Sequence, residues 1–389
     1  MKNKKKNRKS KQKSIKFPFG LSNPSKIIPK SIPSLNLYSE WVYEKNQLSF
    51  LKYLFDSKQF IEIFEKYPNP KLQRNLRKLI QIGTIQTCLS SRYYLSNGEV
   101  VHLNKKKLEN ETKSTIFYTK DHSFSFKKPD SSLKTKFFVI EGDCLETAFL
   151  FKNTTDLKTA VLVMASRSNP GGGYLKGASG QENLHRRTNL FQCTDDPYQI
   201  NPSKKWDYPL PEKGGLYCNE VTCFRKGEEE GYQFYESPQT MNFIFVYAYQ
   251  DPPLSFPEKG EPRITGGIVK HIKEKIGYII DIAKENEIKC LILSAWGCGI
   301  YKNPPKHIAE MFKEILFLEK NQNFFEIVCF AILEKKPFSL HNPNGSLQPF
   351  SQIFGIEKIS FLNLKEKLTE KEKEEEKQEI KIENNLKEK

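Results

Sequence analysis

Residues 161–191 read VLVMASRSNPGGGYLKGASGQENLHRRTNLF. Val161 to Met164 is a short apolar run of strand length, and Pro170 stops the hydrophobic pattern. Gly171, Gly172 and Gly173 follow, then two further small-residue breaks at Gly177-Ala178 and Ser179-Gly180. A polar, helix-compatible segment runs from Gln181 to Leu190. Strand, glycine loop and helix start, in that order, put a loop at the carboxyl edge of a sheet. Ligands of open α/β sheets bind at that edge.

Adjacent glycines let the backbone approach a ligand closely and adopt positive φ. Successive N–H groups can then turn toward one anion, and a helix starting just beyond adds its positive end. The reading is an anion cradle, most simply for phosphate. A Gly-rich surface turn is the plainer alternative. The charged and amide-rich residues Gln181, Glu182, Asn183, His185, Arg186 and Arg187, close behind the glycines, favour the cradle.

A second segment repeats the order. In CLILSAWGCGIYKNPPKHIAEMFKEIL, residues 290–316, an apolar strand around Leu291–Leu293 runs into Gly297-Cys298-Gly299. Pro304-Pro305 then opens a helix, a position where the missing proline N–H costs nothing. Two glycine loops after two strands are far more specific than either alone.

These residues resemble the microbial-type poly(ADP-ribose) glycohydrolases of the macrodomain superfamily. The family signature is a glycine triplet, a gap of six to eight residues, then Gln-Glu-Glu. Here Gly171-Gly172-Gly173 is followed by seven residues and then Gln181-Glu182-Asn183. The second glutamate, catalytic in the family, is missing at its expected place. Counted from the glycines, Asn183 replaces the acid. Counted back from NLHRRTNL, one loop residue is deleted and Glu182 occupies the catalytic position. The second register is favoured, because a one-residue deletion in a loop is easier to absorb than loss of the acid.

The resemblance spans about residues 71–350 and implies a three-layer α/β/α, macrodomain-like mixed sheet with a helical N-terminal extension. It implies hydrolysis of the ribose O-glycosidic bond of ADP-ribose conjugates, with Glu182 and Gln181 as the catalytic residues. Asn169, Gly171, Gly172, Gly173 and Asn183 would contact the sugar or diphosphate. Gly297, Cys298, Gly299, Ile300 and Tyr301 would form the second loop of the pair that holds the two phosphates. Asp143 reads from the sequence as a helix N-cap; in macrodomains an Asp just after the first strand often contacts adenine, which makes Asp143 the candidate for base recognition. No cofactor or metal is implied. The partners expected are ADP-ribose or poly(ADP-ribose)-modified macromolecules. Two other readings stay open: a domain that binds ADP-ribose without cleaving it, and a nucleic-acid-associated module.

Composition sets the frame. The chain has 389 residues and a net charge of +16. Residues 1–30 carry eleven Lys/Arg and no acid, while residues 365–389 carry eight Lys and nine Glu, so the body between is only mildly basic. Residues 1–16 are a candidate polyanion contact or import signal. No apolar run approaches the roughly 18 residues of a membrane span. Eight cysteines are scattered without a Cys-x-x-Cys pair, which fits reduced thiols in a cytoplasmic or nuclear setting.

The expected organisation is a disordered arm and linker (1–37), a helical N-terminal region with a hairpin (38–130), a catalytic domain (131–355) and a Lys/Glu-rich tail (356–389). Helical periodicity covers 39–66 and 70–89. Asn97-Gly98 between apolar flanks signals a hairpin, and residues 104–134 read as loop apart from one short strand near Thr115–Tyr118. Residues 192–240 read as a long irregular covering segment before a strand at 241–249, and 264–286 as an amphipathic helix.

Overall fold

The computed structural model describes residues 56–369, apart from 128, 181, 196–207, 259 and 335–338, together with two short strands, β1 (Val42–Glu44) and β2 (Gln47–Ser49). The N-terminal region continues with α1 (Ser57–Lys66), α2 (Pro70–Ser90), the hairpin β3 (Arg92–Tyr94) and β4 (Val100–His102), and α3 (Lys105–Lys113). Next come β5 (Ile116–Tyr118), β6 (Lys136–Glu141), α4 (Cys144–Thr155) and β7 (Thr159–Ala165). The first glycine loop leads to α5 (Glu182–Arg187), α6 (Leu190–Thr194), β8 (Gly215–Arg225) and β9 (Phe234–Tyr247). A small hairpin, β10 (Leu254–Ser255) and β11 (Arg263–Ile264), precedes α7 (Ile268–Glu285). The chain then forms β12 (Cys290–Leu293), α8 (Pro305–Leu316), β13 (Ile327–Ile332), α9 (Leu347–Phe354), β14 (Lys358–Ser360) and a helix over 361–369.

Eight strands make one sheet in the order β14-β6-β13-β12-β7-β9-β8-β5. From β14 to β9 every neighbouring pair is parallel; β8 and β5 add antiparallel partners at one side. Alternation along the strands explains the layers. Ala160 and Leu162 of β7 face the core under α7, α8 and α9, while Val161 and Val163 face α4, α5 and α6. A strand buried on both faces reads as a continuous apolar run, as 161–164 does. The result is the three-layer mixed α/β/α architecture, with the helical N-terminal extension packed beside it. That extension shares a core with the site: Phe60, Leu76, Leu79 and Ile80 meet Tyr174, Phe191 and Tyr232.

Several expected boundaries move, each for a local reason. Helix α1 begins only at Ser57, where the Asp56 carboxylate accepts the Gln59 N–H at 3.0 Å; β1 and β2 occupy part of the chain before it. Residues 104–134 include α3, capped by Asn104. Its buried side is Leu108, Glu111 and Thr112, too polar to show as a hydrophobic stripe. Within 192–240 lie α6, β8 and the first half of β9. The polar pair Asn219-Glu220 hides the continuity of β8: it forms a bulge, with the register shifting between Cys218 and Val221 and Glu220 at φ 46°. The hairpin turn at Asn97-Gly98 stands, with Leu95 N donating to Glu99 O at 2.8 Å.

The end of the fold also differs from the boundary at 355. β14 pairs with β6, and Leu364 and Leu368 of the final helix pack on the core against α4. Their four-residue spacing lies inside a Lys/Glu-rich stretch, where composition dominates the reading. The basic arm, the proline-rich linker and residues 370–389 lie outside the described residues. Leu364→Ala is expected to cost about 2–5 kcal/mol, as for other buried leucines, in urea unfolding of the full chain. A substitution at an exposed residue of the same helix, such as Lys367→Ala, should leave the midpoint nearly unchanged.

Candidate functional site

β7 and β12 are adjacent parallel strands, with Val161 opposite Ile292. Their carboxyl ends therefore share one sheet edge, and the two glycine loops leave it side by side. The turn after β6, carrying Asp143, lies at the same edge beyond β13.

The first loop is built on a buried imidazole. Gly171 and Gly172 have φ of 61° and 62°. A Cβ on Gly171 would fall 2.6 Å from the His185 ring, so no side chain fits there. Gly172 N donates to Asn169 O at 2.8 Å and closes the turn; the Asn169 residue itself is exposed. Glu182 opens α5, and its Oε1 accepts the Gly173 N–H at 2.8 Å. One N–H of the cradle expected from the glycines, that of Gly173, is thus taken by the Glu182 side chain.

Asn183 is turned the other way. Its Nδ2 donates to Asp143 Oδ2 at 3.4 Å, and its Oδ1 is buried. Asp143 caps α4 as expected, Oδ1 accepting from Leu145 N at 2.9 Å and Glu146 N at 3.0 Å. The same oxygen accepts from Arg187 Nη1 at 2.8 Å, while Arg187 Nη2 pairs with Glu146. Burial alone would raise the Asp143 carboxyl. The charge of Arg187, with the hydrogen bonds from Arg187 and the α4 amides, outweighs that and holds it below its ordinary 3.8. Glu146 goes up instead, because its burial outweighs the attraction of Arg187 and Asp143 repels it. Arg186 is equally buried; Nη1 donates to Ala178 O at 2.8 Å and Nε to Tyr232 Oη at 2.9 Å.

The second loop is pinned at its neck and open at its tip. Gly297 has φ 76°, and a Cβ there would lie 2.7 Å from Ala248 Cβ. Asn303 Nδ2 donates to Gly297 O at 2.9 Å and to Tyr249 O at 2.8 Å. Cys298 is buried, its carbonyl 3.0 Å from His341 Nε2. Gly299 and Ile300 are exposed at the tip, and Tyr301 is half-buried. Trp296 packs inside, its Nε1 donating to Val246 O at 2.9 Å.

The structure thus joins Gly173 to Glu182 and Asn183 to Asp143, and places Gly297 to Tyr301 on the neighbouring strand's loop. Gln181 lies outside the described residues. Among the described residues, no cluster of His, Cys, Asp and Glu could hold a metal ion. No described helix is long and apolar enough to cross a membrane.

One group at the same edge escaped the sequence reading. Glu212, in the segment before β8, meets the hydroxyls of Tyr247 and Tyr249, and its main-chain oxygen accepts from Lys275 Nζ at 2.7 Å. Lys275 is buried, 3.5 Å above the Tyr247 ring centroid, and burial pushes its ammonium down to about 8. The signal was present in the chain: Lys275 interrupts the apolar face of α7 between Ile272 and Ile279.

Residues 82–226 match the family model described as microbial-type PARG, catalytic domain. No curated protein matches the chain. Among solved structures, the poly(ADP-ribose) glycohydrolase of Thermomonospora curvata is 22% identical, with a TM-score of 0.55 over 72% of this chain and 99% of that one. The same enzyme bound to the inhibitor ADP-HPD gives 22% identity and a TM-score of 0.54 over 71% and 98% of the two chains. These likenesses establish the shared fold.

The depressed Asp143 carboxyl has a pH signature. Its stabilisation is complete above 3.8, the ordinary value, and is lost as pH falls through the lower folded value. Asp143→Asn keeps a capping oxygen but no charge. The gap in urea midpoint between wild type and Asp143→Asn should be widest near neutral pH and shrink as pH drops below 3.8.

Proposed function

Taking as premise that residues 82–226 belong to the microbial-type poly(ADP-ribose) glycohydrolase family, we propose that the chain hydrolyses the ribose O-glycosidic bond of ADP-ribose conjugates, with Glu182 as acid and base. The observation that carries this is the contact of Glu182, not Asn183, with the glycine loop: Oε1 lies 2.8 Å from Gly173 N, while Asn183 is engaged by Asp143. That geometry supports the register in which one loop residue is deleted and the acid is kept.

ADP-ribose is a dianion with adenine at one end and an acetal carbon at the other. In the proposed reaction its diphosphate lies between the loops of Gly171 to Gly173 and Gly297 to Ile300, where the glycines add no side-chain bulk. Tyr301 borders the distal ribose, and Asn169 and Gln181 hydrogen-bond it. Glu182 gives its proton to the departing ribose oxygen as the glycosidic C–O bond breaks and positive charge spreads into the ring. The resulting carboxylate takes a proton from the water that adds to the same carbon, which restores the acid. Adenine recognition by Asp143 would use Oδ2, exchanging its bond to Asn183, since Oδ1 is committed to α4 and Arg187.

The test is release of ADP-ribose from poly(ADP-ribose) by the purified full chain. Glu182→Gln should lower turnover about 10²–10⁴-fold, the usual worth of a general acid, while still binding ADP-ribose. Asn183→Ala should lose far less. Binding of ADP-ribose without turnover by the wild type would instead mark a non-catalytic ADP-ribose-binding domain.

A further inference from the structure

Helix α5 is six residues long, so its last carbonyls have no partners within the helix. Two of them are met from a distant part of the chain. Gln81 Nε2 donates to His185 O at 3.2 Å, and the Thr84 hydroxyl donates to Arg186 O. Both donors sit on α2, where every residue from Leu79 to Cys88 is buried. Polar side chains in such a helix are costly unless bonded. Leucine and valine would fill the same space, so packing alone does not call for Gln81 and Thr84.

The same helix fixes the other flank of Glu182. A Cβ on Gly177 would lie 2.0 Å from the Arg74 carbonyl oxygen, so the loop backbone rests directly on the backbone of α2. A chain of bonds runs from α2 to the segment just before Glu182. Arg77 pairs with Glu228 at 2.5 Å, and Tyr232 Oη donates to Glu228 at 3.0 Å. Arg186 Nε donates to Tyr232 Oη at 2.9 Å, and Arg186 Nη1 to Ala178 O at 2.8 Å.

We propose that Gln81 and Thr84 are positioning residues for Glu182. They cap α5 from the N-terminal region and thereby set the approach of the carboxylate to the glycine loop. This role rests on the reading of Glu182 as the acid. The N-terminal helices then belong to the catalytic apparatus, although they touch no substrate. Thr84→Val keeps the shape of the side chain but leaves the Arg186 carbonyl unpaired in the interior.

The experiment compares Thr84→Val, Thr84→Ser and Leu316→Ala in the full chain. It measures kcat, KM, ADP-ribose affinity and hydrogen exchange of the 182–187 amides, well below each unfolding midpoint. Thr84→Val should lower kcat about tenfold or more, since small misplacements of a reacting group are costly, with KM and ADP-ribose affinity nearly unchanged. It should also speed exchange in α5. Thr84→Ser keeps the donor and should restore both readouts. Leu316→Ala opens a cavity at the C-terminal end of α8, away from both glycine loops, and should lower stability while kcat and α5 exchange hold. An unchanged kcat in Thr84→Val, or an equal loss in Leu316→Ala, overturns the proposal. Should the wild type release no ADP-ribose, the reading of Glu182 fails separately. Exchange of α5 then decides the capping role, and equal protection in Thr84→Val and wild type rejects it.

Discussion

Arg187 lies fully buried between two carboxylates of another helix, Asp143 and Glu146. A charge taken out of water persists only where its partners are close and well oriented. Both carboxylates stand in the first turn of α4, directly after β6. The guanidinium therefore ties α5 to the first central strand of the parallel sheet. Asn183, bonded to the same Asp143, adds a second tie. The C-terminal end of α5 is thus held twice, by the charges on α4 and by the α2 donors Gln81 and Thr84.

The second constraint is topological. β7 and β12 are neighbours and run parallel, so two loops from sequence positions more than a hundred residues apart open on one edge. Each loop needs glycine for a separate reason. At Gly171 the His185 ring occupies the space of a side chain, and at Gly297 Ala248 and Asn303 do so. The backbones of both loops are thus shaped by the packing beneath them. At the exposed tip, a Cβ on Gly299 would meet nothing within 4 Å.

The parts of this design that rest on local pattern were legible in the sequence. The apolar runs of β7, β12 and β13, the glycine loops and the Asp143 cap follow from periodicity and backbone chemistry. What stayed hidden depends on partners far along the chain. HRRTNL at 185–190 reads as a polar segment whose two arginines tie the helix to neighbouring carbonyls or acids, and the structure buries all of it; the identity of the partners, on α2, α3, α4 and β8, needs the fold. The pairing of Lys275 with Glu212 likewise needs the fold to bring α7 to the end of β9. Strand β8 was masked by its own bulge, and β14 by the charge of the tail around it. The sequence also left two registers for the acid, since a deletion in a loop and a substitution in a helix look alike on one chain. In the structure the Glu182 side chain accepts the Gly173 N–H while the Asn183 side chain bonds Asp143, which supports the proposed register.

The most direct measurement is a crystal structure of the Glu182→Gln variant with ADP-ribose bound. The deleted-residue register predicts the carboxamide at position 182 within hydrogen-bonding reach of the anomeric oxygen of the distal ribose. Asn183 should stay turned away from the anomeric oxygen, with the diphosphate between the two glycine loops. A complex in which Asn183 faces the anomeric oxygen and position 182 points away would contradict the assignment of Glu182 as the acid.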